Sequence, residues 1–148
     1  MTVIANIRTA LAQRAGAASS IETTETQRRG DGNPPPADKL PLLNVQHVST
    51  DREHATMNGT IEAASLFQLD VFTGKLAGSQ IEETMDTLTQ QIVDELNEET
   101  ALVVAGDLDM LDHIVSDISY DLIETGDEER GHVALTVRVN YTTATQID

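Results

Sequence analysis

The stretch HIVSDISYDLIETGDEERGHVALTVRVNYT, residues 113–142, decides the fold. Its second half alternates strictly. Val133, Leu135, Val137, Val139 and Tyr141 share one side; His132, Ala134, Thr136, Arg138 and Asn140 share the other. Its first half alternates as well, with Ile114, Ser116, Ile118, Tyr120 and Leu122 set against Val115, Asp117, Ser119, Asp121 and Ile123. Period two with many β-branched residues is a strand signature. Between the halves, Glu124 to Gly131 is polar, and Gly126 and Gly131 are free to take the positive φ of a turn. The stretch predicts a long antiparallel hairpin with one buried face. A lone hairpin is marginal in water, so the rest of the chain must supply further strands and a cover.

Moving outward, Ser79 begins the best helix. Ser79 and Glu82 form a capping box. Ile81, Met85, Leu88, Ile92 and Leu96 step by four, three, four and four, which makes one apolar stripe. Glu82, Glu83, Asp86, Asp94 and Glu95 occupy other positions without a Lys or Arg as i,i+4 partner. This helix is the natural cover for the sheet. Glu98 to Met110 reads as irregular, or as a short apolar helix around Ala101 to Val104 that ends at Gly106.

Further back, Thr60 to Phe72 predicts a strand, with Ile61, Ala63, Ser65, Phe67, Leu69 and Val71 on one face. Thr73 to Gly78 is a turn. Leu40 to Val48 predicts another strand, with Leu43, Val45 and His47 together, and Pro41 favours its start or an edge. Ser49 to Asn58 is a polar connection. Thr2 to Arg14 predicts a helix with Ile4, Ile7 and Leu11 on one face, Thr2 as N-cap and Gly16 as stop. The predicted class is α+β. A small antiparallel four-stranded sheet is covered by an amphipathic helix plus the N-terminal helix, in one domain over 1–148.

Ala17 to Lys39 carries no sustained helix or strand period. It includes Arg28, Arg29 and the run Pro34, Pro35, Pro36, which favours polyproline II and removes donors. A structureless segment of this length inside a compact domain is either functional or disordered. The readings are an arm that docks on a neighbouring subunit, or a loop without contacts. Candidate subunit or partner contacts are therefore Arg28, Arg29, Pro34, Pro35 and Pro36, together with Asp127, Glu128 and Glu129 at the hairpin tip.

Charge dominates the composition. There are 25 acidic residues against 9 basic ones, a formal net charge of -16. Lysine occurs only at Lys39 and Lys75, and 16 of the acids lie between Leu76 and Glu129, where no Lys or Arg occurs. Nucleic-acid binding needs a basic stripe to release counterions from phosphates, and beyond Arg28-Arg29 none is offered. Many Asp and Glu, few Lys and much Thr resemble proteins of salt-loving archaea. Such a chain repels itself until salt screens the charge.

There are no cysteines, which excludes disulfides and thiolate metal sites. No apolar run is long enough to span a bilayer. The N-terminus lacks the basic-then-apolar order of a signal peptide, so the chain is expected to stay where it is made. Asp107, Asp109, Asp112 and His113 are the nearest approach to a metal constellation, but they lack the glycine and distal glutamate of an EF-hand loop. His47, His54, His113 and His132 have no nucleophile context, and the glycines form no phosphate-binding loop. The reading is non-enzymatic, with no catalytic residue, cofactor or metal.

The order helix, long loop, two strands, acidic amphipathic helix, two strands resembles the tail terminator, or tail-completion, family of tailed viruses. Its carriers are Leu40-Pro41-Leu42-Leu43-Asn44-Val45, Leu66-Phe67-Gln68-Leu69-Asp70-Val71, the helix Ile81 to Leu96, and Val133 to Tyr141 at the close. The resemblance spans most of the chain and is one of position and polarity. It implies a structural virion protein that forms a homohexameric ring, caps the finished tail tube and joins tail to head or neck. Its partners would be copies of itself, the tail tube protein and a neck or head-completion protein. DNA would pass through the pore without specific binding, and no membrane would be involved. The protein would sit in the virion at the tail–neck junction after assembly in the host cytoplasm. The 17–39 insert is longer than the family pattern, which leaves a head-completion or neck adaptor open. With the acidic composition, the resemblance implies a tailed virus of a halophilic archaeon. An unrelated acidic binding module and a metal-dependent hydrolase are the readings from other classes.

If the unpaired acids repel one another, the melting temperature should climb steeply between low and molar potassium chloride. A flat thermal-denaturation series would contradict the halophile reading.

Overall fold

The computed structural model describes residues 3–18, 21–26, 40–55, 61–74, 81–97, 108–125 and 128–143. In chain order the elements are α1 (Val3–Gly16), β1 (Thr23–Glu25), β2 (Leu42–Ala55), β3 (Ile61–Gly74), α2 (Ile81–Leu96), β4 (Leu108–Thr125) and β5 (Glu128–Thr143). The strands form one sheet in the order β1-β2-β3-β5-β4. β1 runs parallel to β2, and every other neighbouring pair is antiparallel. The class is α+β, as the sequence predicts, but the sheet has five strands and is mixed.

The extra strand comes from the segment read as irregular. Thr23, Thr24 and Glu25 pair with Leu42, Leu43 and Asn44. The Pro41 carbonyl accepts from the Glu22 and Thr23 amides at 2.9 and 3.2 Å. Three residues are too few to show a period, and a parallel partner cannot be seen in local sequence. Arg28, Arg29, Pro34, Pro35 and Pro36 lie outside the described residues.

The core is built on β5. Val133, Leu135, Val137, Val139 and Tyr141 are all fully buried. Residues directly opposite in a ladder share a face, so Val71, Leu69, Phe67, Ser65 and Ala63 of β3 line up beside them. Leu43, Val45 and His47 of β2 follow. Both helices cover this side. The α2 stripe, Ile81, Met85, Leu88, Ile92 and Leu96, is buried as predicted, and so are Ile4, Ile7 and Leu11 of α1. Both predicted N-caps, Thr2 and Ser79, lie outside the described residues.

Three local readings are corrected. β2 does not stop at Val48 but runs on to Ala55, through register shifts between His47 and Ser49 and between Arg52 and His54. The hairpin tip is shorter than the polar run predicts, because Glu124 and Thr125 pair with Glu129 and Glu128. Glu128 and Glu129 are therefore strand residues, and Asp127 lies outside the described residues. Gly131 pairs with Thr73 and Leu122 inside β5 and takes no turn. Glycine is needed there for space: a Cβ would fall 2.6 Å from both Cγ and Sδ of Met85, where α2 approaches the sheet.

Leu88 sits between helix and sheet at 1% exposure. Leu88→Ala should cost roughly 2–5 kcal/mol through lost transfer energy and a cavity, measured by denaturant unfolding. Leu88→Asp should prevent soluble folding, and a stable Leu88→Asp protein would contradict this packing.

Candidate assembly surface

The outermost strand on one side is β4, 18 residues long. The reading of its faces needs correction at the register shift between Val115 and Asp117. Val115 lies opposite Val137, but Ile118 and Tyr120 lie opposite Leu135 and Val133. Ser116 is thus the extra residue of a bulge, which switches the parity of the strand. His113, Val115, Ile118, Tyr120 and Leu122 look toward the helices. Ile114, opposite Arg138, looks the other way.

α2 does not cover this edge. Ile118 is 36% exposed, Tyr120 52%, Leu122 51% and Ile114 57%. Tyr120 and Leu122, with Met85 of α2, line a cleft of about 550 Å³ to which Glu82, Asp86 and Asp121 also contribute. At its other end α2 is tied to β4: His113 Nε2 lies 2.5 Å from the Leu96 carbonyl and donates to it. This bond occupies a terminal helix carbonyl that has no partner within the helix. His113 therefore fastens the helix. Asp112 faces away and accepts from Asn140 Nδ2. The suspected metal run is thereby split: Asp107 lies outside the described residues, and of Asp109 only the backbone is described. Among the described residues no group of three or more His, Asp or Glu is placed to hold a metal ion. Among them, too, no helix is long and apolar enough to cross a membrane.

At the opposite margin, β1 covers only Leu42 to Asn44 of β2. Beyond it, Val48 stands 55% exposed at the bulge. The face of the sheet away from the helices is mixed, with Leu42, Leu66, Phe72 and Ile114 among polar side chains. Asp70 Oδ1 accepts from His132 Nε2 at 2.7 Å and from Gln68 Nε2 at 2.8 Å. The His132 ring stacks on Phe72 at 4.7 Å.

One polar chain crosses the core. His47 Nε2 lies 2.7 Å from Thr50 Oγ1, which lies 2.8 Å from Ser65 Oγ, itself 2.8 Å from the Tyr141 hydroxyl. Ser65 and Tyr141 are fully buried, so the chain satisfies core hydroxyls and offers no accessible nucleophile. Burial pushes the His47 pKa below its ordinary value; the Ser49 backbone opposes this, and the Arg8 charge adds to it. Sequence reasoning grouped His47 with Leu43 and Val45, and that face is the one turned to the core. It missed Thr50, because the bulge at Val48 changes which residues follow on that face.

These features define a class: a small α+β domain whose mixed sheet carries both helices on one face and, among the described residues, ends in a long edge strand with exposed Ile118, Tyr120 and Leu122. A chain from the solved virion of a native gene transfer agent particle has this fold; the alignment covers 93% of this chain and 97% of that one, at 16% identity and a TM-score of 0.56. A second solved chain aligns over 93% of this chain and 92% of its own, at 18% identity and a TM-score of 0.44, too low to carry a structural argument. No family model and no curated protein matches the chain.

The lowered His47 pKa sets a sign. A histidine held neutral in the fold contributes stability that is complete above its unfolded pKa of 6.5. That stability is lost as pH falls from there through the lower folded value. In molar salt, His47→Gln should lose less stability than the wild type below pH 6.5. Parallel curves of unfolding midpoint against pH would contradict the assignment.

Proposed function

We propose that this chain is a structural protein of a tailed virion, which caps the tail tube as a homohexameric ring and joins it to the head or neck. The observation that carries the reading is the fold shared with a virion chain over nearly the whole length of both. The exposed Ile118, Tyr120 and Leu122 on the β4 edge support it, since a recognition protein needs surface to bury and a ring of head-to-tail contacts buries the same pair of edges in every copy. The work of such a protein is done by shape and buried area, with no bond made or broken. Closing a ring multiplies weak contacts, because one docked subunit raises the effective concentration of the rest at the tube end.

The remaining terms of the proposal follow from charge. A lysine-poor wall would let DNA pass without gripping its phosphates. The acidic composition fits a virus of a halophilic archaeon. The solved virion chain supports a head-completion or neck adaptor as much as a tail terminator, because both are virion components of this kind.

The test is loss of the protein from infected cells. A tail terminator should leave filled heads unjoined to tails of irregular or excess length, seen by electron microscopy. Normal tails joined to heads would contradict the role. Heads that lose DNA beside tails of normal length would favour the neck adaptor.

A further inference from the structure

The two margins of the sheet differ in direction and in charge. β1 and β2 run parallel, and the successive pairs β2–β3, β3–β5 and β5–β4 are antiparallel. β4 therefore runs opposite to β2. When two copies stand side by side with their helices on the same side, β4 of one meets β2 of the next in antiparallel orientation, with no change of face. The Tyr120 and Leu122 cleft lies on the helix side. The neighbour's α1, which packs on β2, comes to that same side.

Charge selects the same pairing. Residues 76–129, which include α2 and β4, carry 16 acidic and no basic residues; residues 1–75, which include α1, β1 and β2, carry 8 acidic and 7 basic. A contact between two β4 edges would set Asp112, Asp117 and Asp121, all exposed, against their own copies. Like charges across a strand pair are destabilising. A contact between β4 and the β2 margin instead sets the acidic half against a half whose charges nearly cancel, 8 acidic to 7 basic, so the like-charge repulsion is largely avoided.

We infer that the β4 edge of one copy pairs antiparallel with the β2 edge beyond β1 of a second copy, head to tail, so that neighbouring subunits share a continuous sheet. This names the contact surfaces of the ring proposed above and rests on its self-assembly. The apolar side chains Ile118, Tyr120 and Leu122 on one edge, and Val48 on the other, supply buried area. The strand ladders supply the hydrogen bonds, as in strand addition to an open edge. Two different edges in one contact make the interface heterologous, which closes into a ring when the rotation is right.

The experiment uses two edge variants in molar potassium chloride, with mass measured by light scattering and folding checked by circular dichroism. Tyr120→Lys with Leu122→Lys damages the β4 edge, and Val48→Glu with Ser49→Asp damages the β2 edge. All four positions are exposed, so both variants should fold. Wild type should be oligomeric and each variant alone monomeric. An equal mixture should form a one-to-one dimer, because one intact edge of each kind remains. A second measurement does not depend on these lesions. The chain has no cysteine, so Val48→Cys combined with Ile118→Cys should give a ladder above the dimer with a short thiol cross-linker. Each single cysteine variant should stay uncross-linked.

Cross-linked dimers of Ile118→Cys alone would mean that β4 pairs with β4, and would overturn the inference. A wild-type monomer at all concentrations would overturn it together with the ring. Wild-type oligomers insensitive to both lesions would overturn it and leave the virion role standing. If the edges behave as expected but the protein is absent from purified particles, the virion role fails and the inference holds.

Discussion

Everything in this structure depends on burying one face of β5. Five side chains, Val133 through Tyr141, are shut off from water, each worth on the order of 1.5–3 kcal/mol if aliphatic and fully buried. No single neighbour can do this. β3 and β4 flank the strand on either side, and α2 lies across it from Met85 over Gly131 to Leu96 at His113. α1 completes the cover over β2. Because α2 is centred on β5, its reach ends before the outer half of β4. The exposed Ile118, Tyr120 and Leu122 are thus a consequence of where the helix sits.

The parts of the fold that announce themselves in sequence are those with a period and a length. The α2 stripe from Ile81 to Leu96, the alternation from Val133 to Tyr141, and Ala63 to Val71 were legible because each repeats a burial rule four or five times. β1 was not, since Thr23 to Glu25 offers three residues and a partner about twenty positions away. The far half of β2 was hidden by its polar residues, which a strand near an edge can tolerate. Bulges are the deeper obstacle. One extra residue at Ser116 put Ile114 on the wrong face of the reading, and another at Val48 hid Thr50 from the hydroxyl chain. Gly131 was noticed for the wrong reason: the helix above it needs room, and no turn is made. The candidate assembly surface was legible only as an excess of acid and an open sheet. Which strand is outermost is a matter of sheet order, which no local pattern encodes.

Charge and edge strands together give the molecule its direction. A long open edge is a liability that proteins usually blunt with charge or cover with another element. β4 does the first with Asp112, Asp117 and Asp121, and these acids also discourage pairing with an identical edge. Residues 1–75, which include the strands of the other margin, are nearly balanced, with 8 acidic and 7 basic residues. The acids on β4 would thus discriminate between right and wrong neighbours in the proposed assembly.

The most direct test of this account is the appearance of the purified protein in molar potassium chloride by electron microscopy. Class averages should show closed rings with a central opening and a small, fixed number of identical subunits. Particles of monomer size at every concentration, or two-fold dimers without an opening, would contradict it.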